Sequence, residues 1–382
     1  MTAEVTAAAG TGPAAAGPDA VGPLLELDQL VVSYRTRRGP RDRRLIRAVD
    51  GVSFSVGTGE IVALVGESGC GKTSIVRAVA RLEEAAAGRV LFRGQDVAHA
   101  RGPALRQLRR EVQVVFQDPF ESLDPRLTAY DTVAESLLIH HLGTTAAARR
   151  DLVHGALEQV GLHPAAQIAR RYPHQLSGGQ RQRLVIAGAM VLGPDLLIAD
   201  EPVSMLDVSL RAGILRLMLD LRAGRGVSIL FVTHDLSLAW LIADRVAVVY
   251  LGRIVELGRA DEVIQAPLHP YTRALVSVIP VPEAGTARER VLLRGEAPSA
   301  SRIPPGCRFH PRCPLYQRLG RPDRCTTEDP ALSDPAGPPG APVPAGTAST
   351  ETASTETASA ETASVSTAGG HAVACHFAKE MP

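Results

Sequence analysis

Uninterrupted apolar runs punctuate this chain at Ile61-Val-Ala-Leu-Val65, Leu196-Leu-Ile-Ala199 and Ser228–Val232. Each is too short for a helix and has no polar face, the pattern of a parallel strand covered on both sides. Leu24–Tyr34 alternates in part between Pro23 and an Arg-rich stretch, and predicts a further strand. One clear helix is predicted after Gly71. From Arg126 to about Ala189 apolar residues recur at helical spacing, as at Val133, Leu137 and Leu138. Strands alternating with helices predict an α/β sheet, with a helical insertion between its early and late strands. Arg35–Arg44 reads as a solvated surface loop; a contact with anionic lipid or a partner is the other reading. After Gly258 the sequence turns Pro-rich and irregular. Ala345–Ser364 repeats a Thr-Ala-Ser-Thr-Glu unit too poor in apolar residues to pack, and is expected to be a flexible insertion.

Composition narrows the setting. A chain of 382 residues has room for one large domain and an appendage. A net charge of +1 gives no electrostatic argument for nucleic acid. The first 23 residues, read as a disordered tail, lack the basic start and apolar segment of a secretory signal. The most apolar stretch, Ser228–Leu251, is broken by His234, Asp235, Asp244 and Arg245, so no spanning helix is expected and the chain reads as cytoplasmic. Lys72 and Lys379 are the only lysines among 41 basic residues. Arg serves wherever a generic positive charge will do, which singles out Lys72.

Lys72 lies in Gly66-Glu-Ser-Gly-Cys-Gly71-Lys72-Thr73, a phosphate-loop pattern between a predicted strand and a predicted helix. Glycines let backbone N–H groups turn inward around phosphates, and the helix N-terminus adds a positive dipole end. Gly66, Ser68, Gly69, Cys70, Gly71, Lys72, Thr73 and Ser74 form the candidate ATP-binding set, with Lys72 on the β- and γ-phosphates and the Thr73 hydroxyl on Mg²⁺. The small Cys70 side chain is read as fitting the loop rather than as a redox group. Downstream, the run from Leu196 ends in Asp200 and Glu201: one acid for the Mg²⁺ shell, one to polarise an attacking water.

Leu176-Ser-Gly-Gly-Gln180 is more selective. With the loop upstream and Asp200 downstream, it resembles the signature of the ABC transporter ATPase family. The resemblance implies a RecA-like core with an antiparallel β subdomain and a helical subdomain. It also implies a head-to-tail dimer in which Ser177, Gly178, Gly179, Gln180 and the D-loop residue Asp207 meet the ATP held by the partner. Gln117 matches the Q-loop glutamine, beside Mg²⁺ and the γ-phosphate. His234 matches the switch histidine, and Tyr34 the aromatic that stacks on adenine. Val115-Phe-Gln-Asp-Pro119, Arg171-Tyr-Pro-His174, His269-Pro-Tyr-Thr-Arg273 and Gly306-Cys-Arg-Phe-His-Pro-Arg-Cys-Pro314 are similar to the ATPases of oligopeptide, dipeptide and nickel importers. The similarity spans about Leu24–Leu332 and resumes near Cys375. Gly188, Met190 and Met205 depart from the residues favoured in that group. The importer resemblance implies two membrane-spanning permease subunits, a second ATPase subunit (a copy or a paralogue) and an extracytoplasmic solute-binding protein acting indirectly. Nucleic acid is not an expected partner. The expected location is the cytoplasmic face of the membrane, with residues from Asp118 to Tyr130 carrying part of the permease contact.

Four of the five cysteines, Cys307, Cys313, Cys325 and Cys375, cluster late in the chain without a Cys-x-x-Cys pair. Four loosely spaced thiolates can hold a 4Fe–4S cluster, and the importer resemblance implies that relatives can carry one at cysteines in this pattern; zinc, with His310 or His376 assisting, and unligated thiols stay open. The expected organisation is a tail (1–23), an ATPase domain (24–258), an importer-type C-terminal region (259–332), the low-complexity insertion (333–366) and a closing segment (367–382). The rival class is a soluble ABC ATPase of translation or DNA repair. One phosphate loop, one signature and no heptad run weigh against it.

Overall fold

The computed structural model describes residues 22–37, 43–279, 290–293, 295–335 and 370–381. The predicted tail up to residue 21, the centre of the Arg-rich stretch and nearly all of the predicted insertion lie outside the described residues.

A seven-stranded sheet forms the frame, in the order Ala372–Val373, Arg253–Arg259, Arg245–Tyr250, Ile61–Val65, Ser228–Thr233, Leu196–Asp200, Val112–Val115. The last five are parallel, and the first two add antiparallel at one edge. Strand periodicity of two explains the apolar runs. Ile61, Ala63 and Val65 enter one core cluster, whereas Val62 and Leu64 enter the other. Leu197 and Ala199 part from Leu196 and Ile198 in the same way. With both faces covered, every position must be apolar.

On one face lies a four-stranded antiparallel sheet, ordered Arg43–Val56, Leu25–Arg37, Ala87–Phe92, Gln95–Asp96. It packs with the helix Lys72–Val79 through Leu25, Leu27, Leu30, Ile75 and Val76. On the other face sit the helices Ala129–Ile139, Ala146–Gln159 and Gly178–Met190, the expected helical insertion.

Three expectations need correction. The first strand runs on to Arg37 and pairs with the next down to Arg37↔Arg43, so the ends of the Arg-rich stretch are hairpin strand rather than loop. Arg35 is exposed there, where a strand tolerates charge. A second helix, Gly102–Glu111, follows the phosphate-loop helix. Pro103 in its first turn is its one local signal, since only Leu108 is buried. Beyond Gly258 the chain is less irregular than its prolines suggest, with helices Ala260–Gln265 and Pro270–Val276. Pro270 opens the second, where a missing N–H costs nothing.

The C-terminal residues return to the frame. Ala372–Val373 pairs with Glu256 and Leu257. Glu256 is fully buried and accepts N–H bonds from Leu268 and His269 at 2.8 Å, with His371 Nε2 at 2.7 Å from its carboxylate. Phe309, Cys313 and Leu315 join the same core cluster as Val248, Tyr250 and Tyr271.

Candidate nucleotide site

The strand Ile61–Val65 delivers Gly66 into the loop, and the helix opens at Lys72. Gly71 caps that helix with φ 111°. A Cβ there would stand 2.3 Å from the Ala48 carbonyl oxygen; one on Gly66 would stand 2.3 Å from that of Val249. Both glycines are therefore required by close backbone approach as well as by loop curvature. Lys72 is 5% exposed, and its Nζ donates to the carbonyls of Gly66 at 2.7 Å and Glu67 at 3.1 Å. The loop thus holds its lysine folded back across its own mouth. Cys70 is buried beneath it, and burial pushes its thiol pKa up, so it packs as a neutral side chain.

Asp200 ends its strand buried, with the Thr73 hydroxyl bonded to its carboxylate. Burial raises its pKa, and the Thr73 bond and Lys72 oppose the rise. A carboxylate, a hydroxyl and the nearby Gln117 amide are all-oxygen donors of the kind that suits Mg²⁺. Glu201 follows with φ 50°, in the left-handed region that non-glycine residues rarely adopt. Its N–H donates to the Val232 carbonyl at 2.9 Å, which holds the turn. One carboxylate oxygen of Glu201 accepts from Gln117 Nε2 at 3.2 Å and lies 3.2 Å from His234 Nδ1. Three expected site residues thus meet at one oxygen. Tyr34 reaches the same helix, its hydroxyl 3.2 Å from Ser74 Oγ.

A cleft of about 820 Å³ runs from Thr73, Gln117 and Asp200 to Glu135 and Ser136 of the helical insertion. Two departures from the importer pattern, Gly188 and Met205, line it.

The signature residues do not join this constellation within one chain. Ser177 caps the helix Gly178–Met190 through a reciprocal pair with Gln180, at 3.3 and 3.0 Å. Asp207 stands at the N-terminus of Val208–Arg225, exposed and with no side-chain bond to that helix end. Among the described residues, no hydrogen bond or ion pair ties either to the phosphate loop. Contacts with the loop that the motif reading missed come from the other end of the chain. Tyr271 and Arg312 both touch Glu67. Each lies inside a recognised motif, but nothing in the spacing announces the contact.

All four late cysteines line a single cavity of about 20 Å³, together with His269, Pro270 and Phe309. Burial pushes the Cys307 and Cys375 thiols up to about 12. The donors are gathered, but among the described residues no three His, Cys, Asp or Glu groups converge as metal ligands do. The cavity has room for about one water, not for a cluster. In this conformation the thiols suit soft-metal chemistry by type but not by separation.

A buried Lys in a glycine loop, a strand-end acid pair and a histidine on the second acid define a phosphate-loop nucleotide hydrolase built as an ATP-binding cassette. The ABC transporter family model matches residues 49–204, and that of the oligopeptide/dipeptide transporter C-terminal region matches 255–318. A putative peptide import ATP-binding protein of Brucella ovis is 46% identical over 312 residues, 82% of this chain and 94% of that one. The oligopeptide transport ATP-binding protein AppF of Bacillus subtilis is 46% identical over 301 residues, 78% of this chain and 91% of its own. Among solved structures, cbiO1 from Clostridium perfringens, part of the ABC transporter complex cbiONQ, superposes with TM-score 0.56 at 28% identity. It covers 64% of this chain and 91% of that one. The ADP- and Pi-bound dimer of the cassette MJ0796 gives 0.55 at 27% identity, covering 62% and 98%. The chain belongs to the ATP-binding subunits of ABC transporters, and it is an ATPase of that type.

Proposed function

We propose that this subunit hydrolyses ATP to drive peptide import through separate membrane-spanning subunits. Among the described residues no helix is long and apolar enough to cross a membrane. Separately from that absence, and on the importer resemblance alone, the reading has the chain on the cytoplasmic face of the membrane, docked on two permease subunits, with a solute-binding protein outside supplying peptide. The names of the 46% identical relatives support peptide as cargo. The cleft beside Gln117 supports a permease contact near Asp118–Tyr130.

In this reading Lys72 leaves its two carbonyls for the β- and γ-phosphates, Tyr34 stacks on adenine, and the loop amides from Ser68 to Ser74 wrap the phosphates. Thr73, Asp200 and Gln117 would hold Mg²⁺, which would neutralise charge on the phosphate oxygens. Glu201 orients and polarises the attacking water, and His234 contacts the γ-phosphate. A second ATPase subunit, identical or paralogous, lays its Ser177–Gln180 surface and Asp207 over the nucleotide. The cassette MJ0796 is itself dimeric with ADP and Pi bound, which supports this arrangement.

The observation that carries the reading is the meeting of Gln117 and His234 on one Glu201 oxygen. Glu201→Gln should lower phosphate release by at least about a hundredfold, the scale of losing a positioned base, while ATP still binds and the closed dimer accumulates. Wild-type-like turnover would remove Glu201 from this role.

The gathered cysteines leave a subsidiary reading to be tested. Cys325 and Cys375 reach one cavity although 49 residues lie between them in the sequence. That reading is a 4Fe–4S cluster held by the four thiols. The packed cavity has no room for the cluster, so the reading requires the thiols to move apart around iron, and zinc and unligated thiols stand beside it as alternatives. Anaerobically purified protein should be brown, with about four irons and four sulfides per chain, and Cys313→Ser should bleach it. Colourless protein with about one zinc would transfer the site to zinc.

A further inference from the structure

Glu67, the residue after the opening glycine of the phosphate loop, is held from three directions. Its N–H donates to the Tyr271 hydroxyl at 2.9 Å. Its carbonyl accepts from Lys72 at 3.1 Å. Its carboxylate takes Arg312 Nη1 on both oxygens, at 3.1 and 3.0 Å. Two of these holds come from the C-terminal region rather than from the cassette core.

Both outside holds are stiff. Tyr271 is fully buried, with ring centroids 4.8 Å from Tyr250 and 5.5 Å from Phe309. Phe309 in turn stands edge-on to Tyr250 at 5.2 Å. Arg312 ends the short turn His310–Arg312, its N–H on the Phe309 carbonyl at 3.0 Å, and its side chain is 9% exposed. One aromatic base therefore places both the hydroxyl and the guanidinium.

The charges matter as much as the geometry. A carboxylate on a loop that must gather phosphate is unfavourable unless a cation stands against it. Arg312 is that cation: its side chain is largely enclosed, it keeps its charge, and one of its nitrogens meets both carboxylate oxygens. Conversely, a largely enclosed guanidinium deprived of its carboxylate loses its closest counter-charge.

We propose that Arg312 and Tyr271 are positioning residues of the nucleotide site: they fix the first turn of the phosphate loop through Glu67 and cancel its charge. The proposal rests on the ATP-site reading above. It gives the C-terminal region a part in nucleotide affinity, separate from any part in cargo.

The test compares wild type with Arg312→Gln, Arg312→Lys, Tyr271→Phe, Glu67→Gln and the double variant Glu67→Gln/Arg312→Gln. Steady-state MgATP hydrolysis, binding of a fluorescent ATP analogue and melting temperature are measured for each. Arg312→Gln should raise KM and Kd about three- to tenfold with kcat held within about twofold. Arg312→Lys, which keeps the charge, should fall between it and wild type. The double variant should bind better than Arg312→Gln alone, because the unopposed carboxylate is gone. Tyr271→Phe should show the same split in smaller measure. A purely structural role predicts a lower melting temperature with KM unchanged in the folded fraction, and would overturn the proposal. So would a double variant weaker than Arg312→Gln. Wild-type protein that fails to bind MgATP would overturn the site reading and this proposal with it. Normal wild-type binding with an unaltered Arg312→Gln would overturn this proposal alone.

Discussion

Lys72 concentrates the residue-scale argument. In a chain that uses Arg almost everywhere, it is one of two lysines, and it is buried with its ammonium on two loop carbonyls. A guanidinium is larger, planar and forked, and cannot sit as a point charge at the same place. Lys72→Arg should therefore lose at least about tenfold in nucleotide affinity or turnover, equal to about 1.4 kcal/mol. Titration with a fluorescent nucleotide and a phosphate-release assay measure the two separately. An unchanged variant would mean that the ammonium stays on its carbonyls throughout the cycle. Cys70 shows the contrary case of a reactive type with an unreactive setting. Burial raises its thiol pKa, in keeping with a side chain chosen for size.

At the scale of elements, the strand–loop–helix unit was legible because each part has its own local physics. An apolar run too short for a helix must be a covered strand, and glycine at fixed offsets marks close backbone approach. The structure separates the glycines by what surrounds them. Gly71→Ala combines a left-handed backbone with a Cβ 2.3 Å from the Ala48 oxygen, so nucleotide binding and melting temperature should both fall sharply. Gly69 has φ 77° but no heavy atom within 4 Å of an added Cβ, so Gly69→Ala should cost only the backbone term of about 1–2 kcal/mol. Equal losses at the two positions in thermal unfolding would show that crowding at Ala48 is relieved by a backbone shift. What stayed hidden had non-local causes. The hairpin ends at Arg35–Arg37 pair with a strand the charges had disguised, and the helix Gly102–Glu111 has a single buried residue, Leu108, too few for a strong periodic signal. The convergence of Gln117 and His234 on Glu201 could be expected from the family resemblance but not from spacing. No local pattern places Arg312 on Glu67 across 244 intervening residues.

For the whole molecule, the decisive feature is that the last residues belong to the central sheet. Ala372–Val373 pairs with Glu256 and Leu257 in the middle of the edge strand Arg253–Arg259, and His371 meets the fully buried carboxylate of Glu256. Ending the chain at residue 335 would uncover that edge and take one partner from a buried charge. Such a truncation should lower stability by about 1–3 kcal/mol and promote association through the bare strand. Differential scanning calorimetry and light scattering report the two effects, and a truncated chain as stable and as monomeric as the full one would assign the segment no structural weight. The arrangement also sets an order of events during synthesis. A ribosome makes this chain from the other end, so the strand Arg253–Arg259 emerges long before the residues that cover it. Every nascent chain passes through an interval in which its cassette is nearly complete yet one backbone edge is open to neighbours on the same messenger. The time taken to synthesise the chain from Arg259 to Ala372 then adds to how long the middle of that edge stays bare.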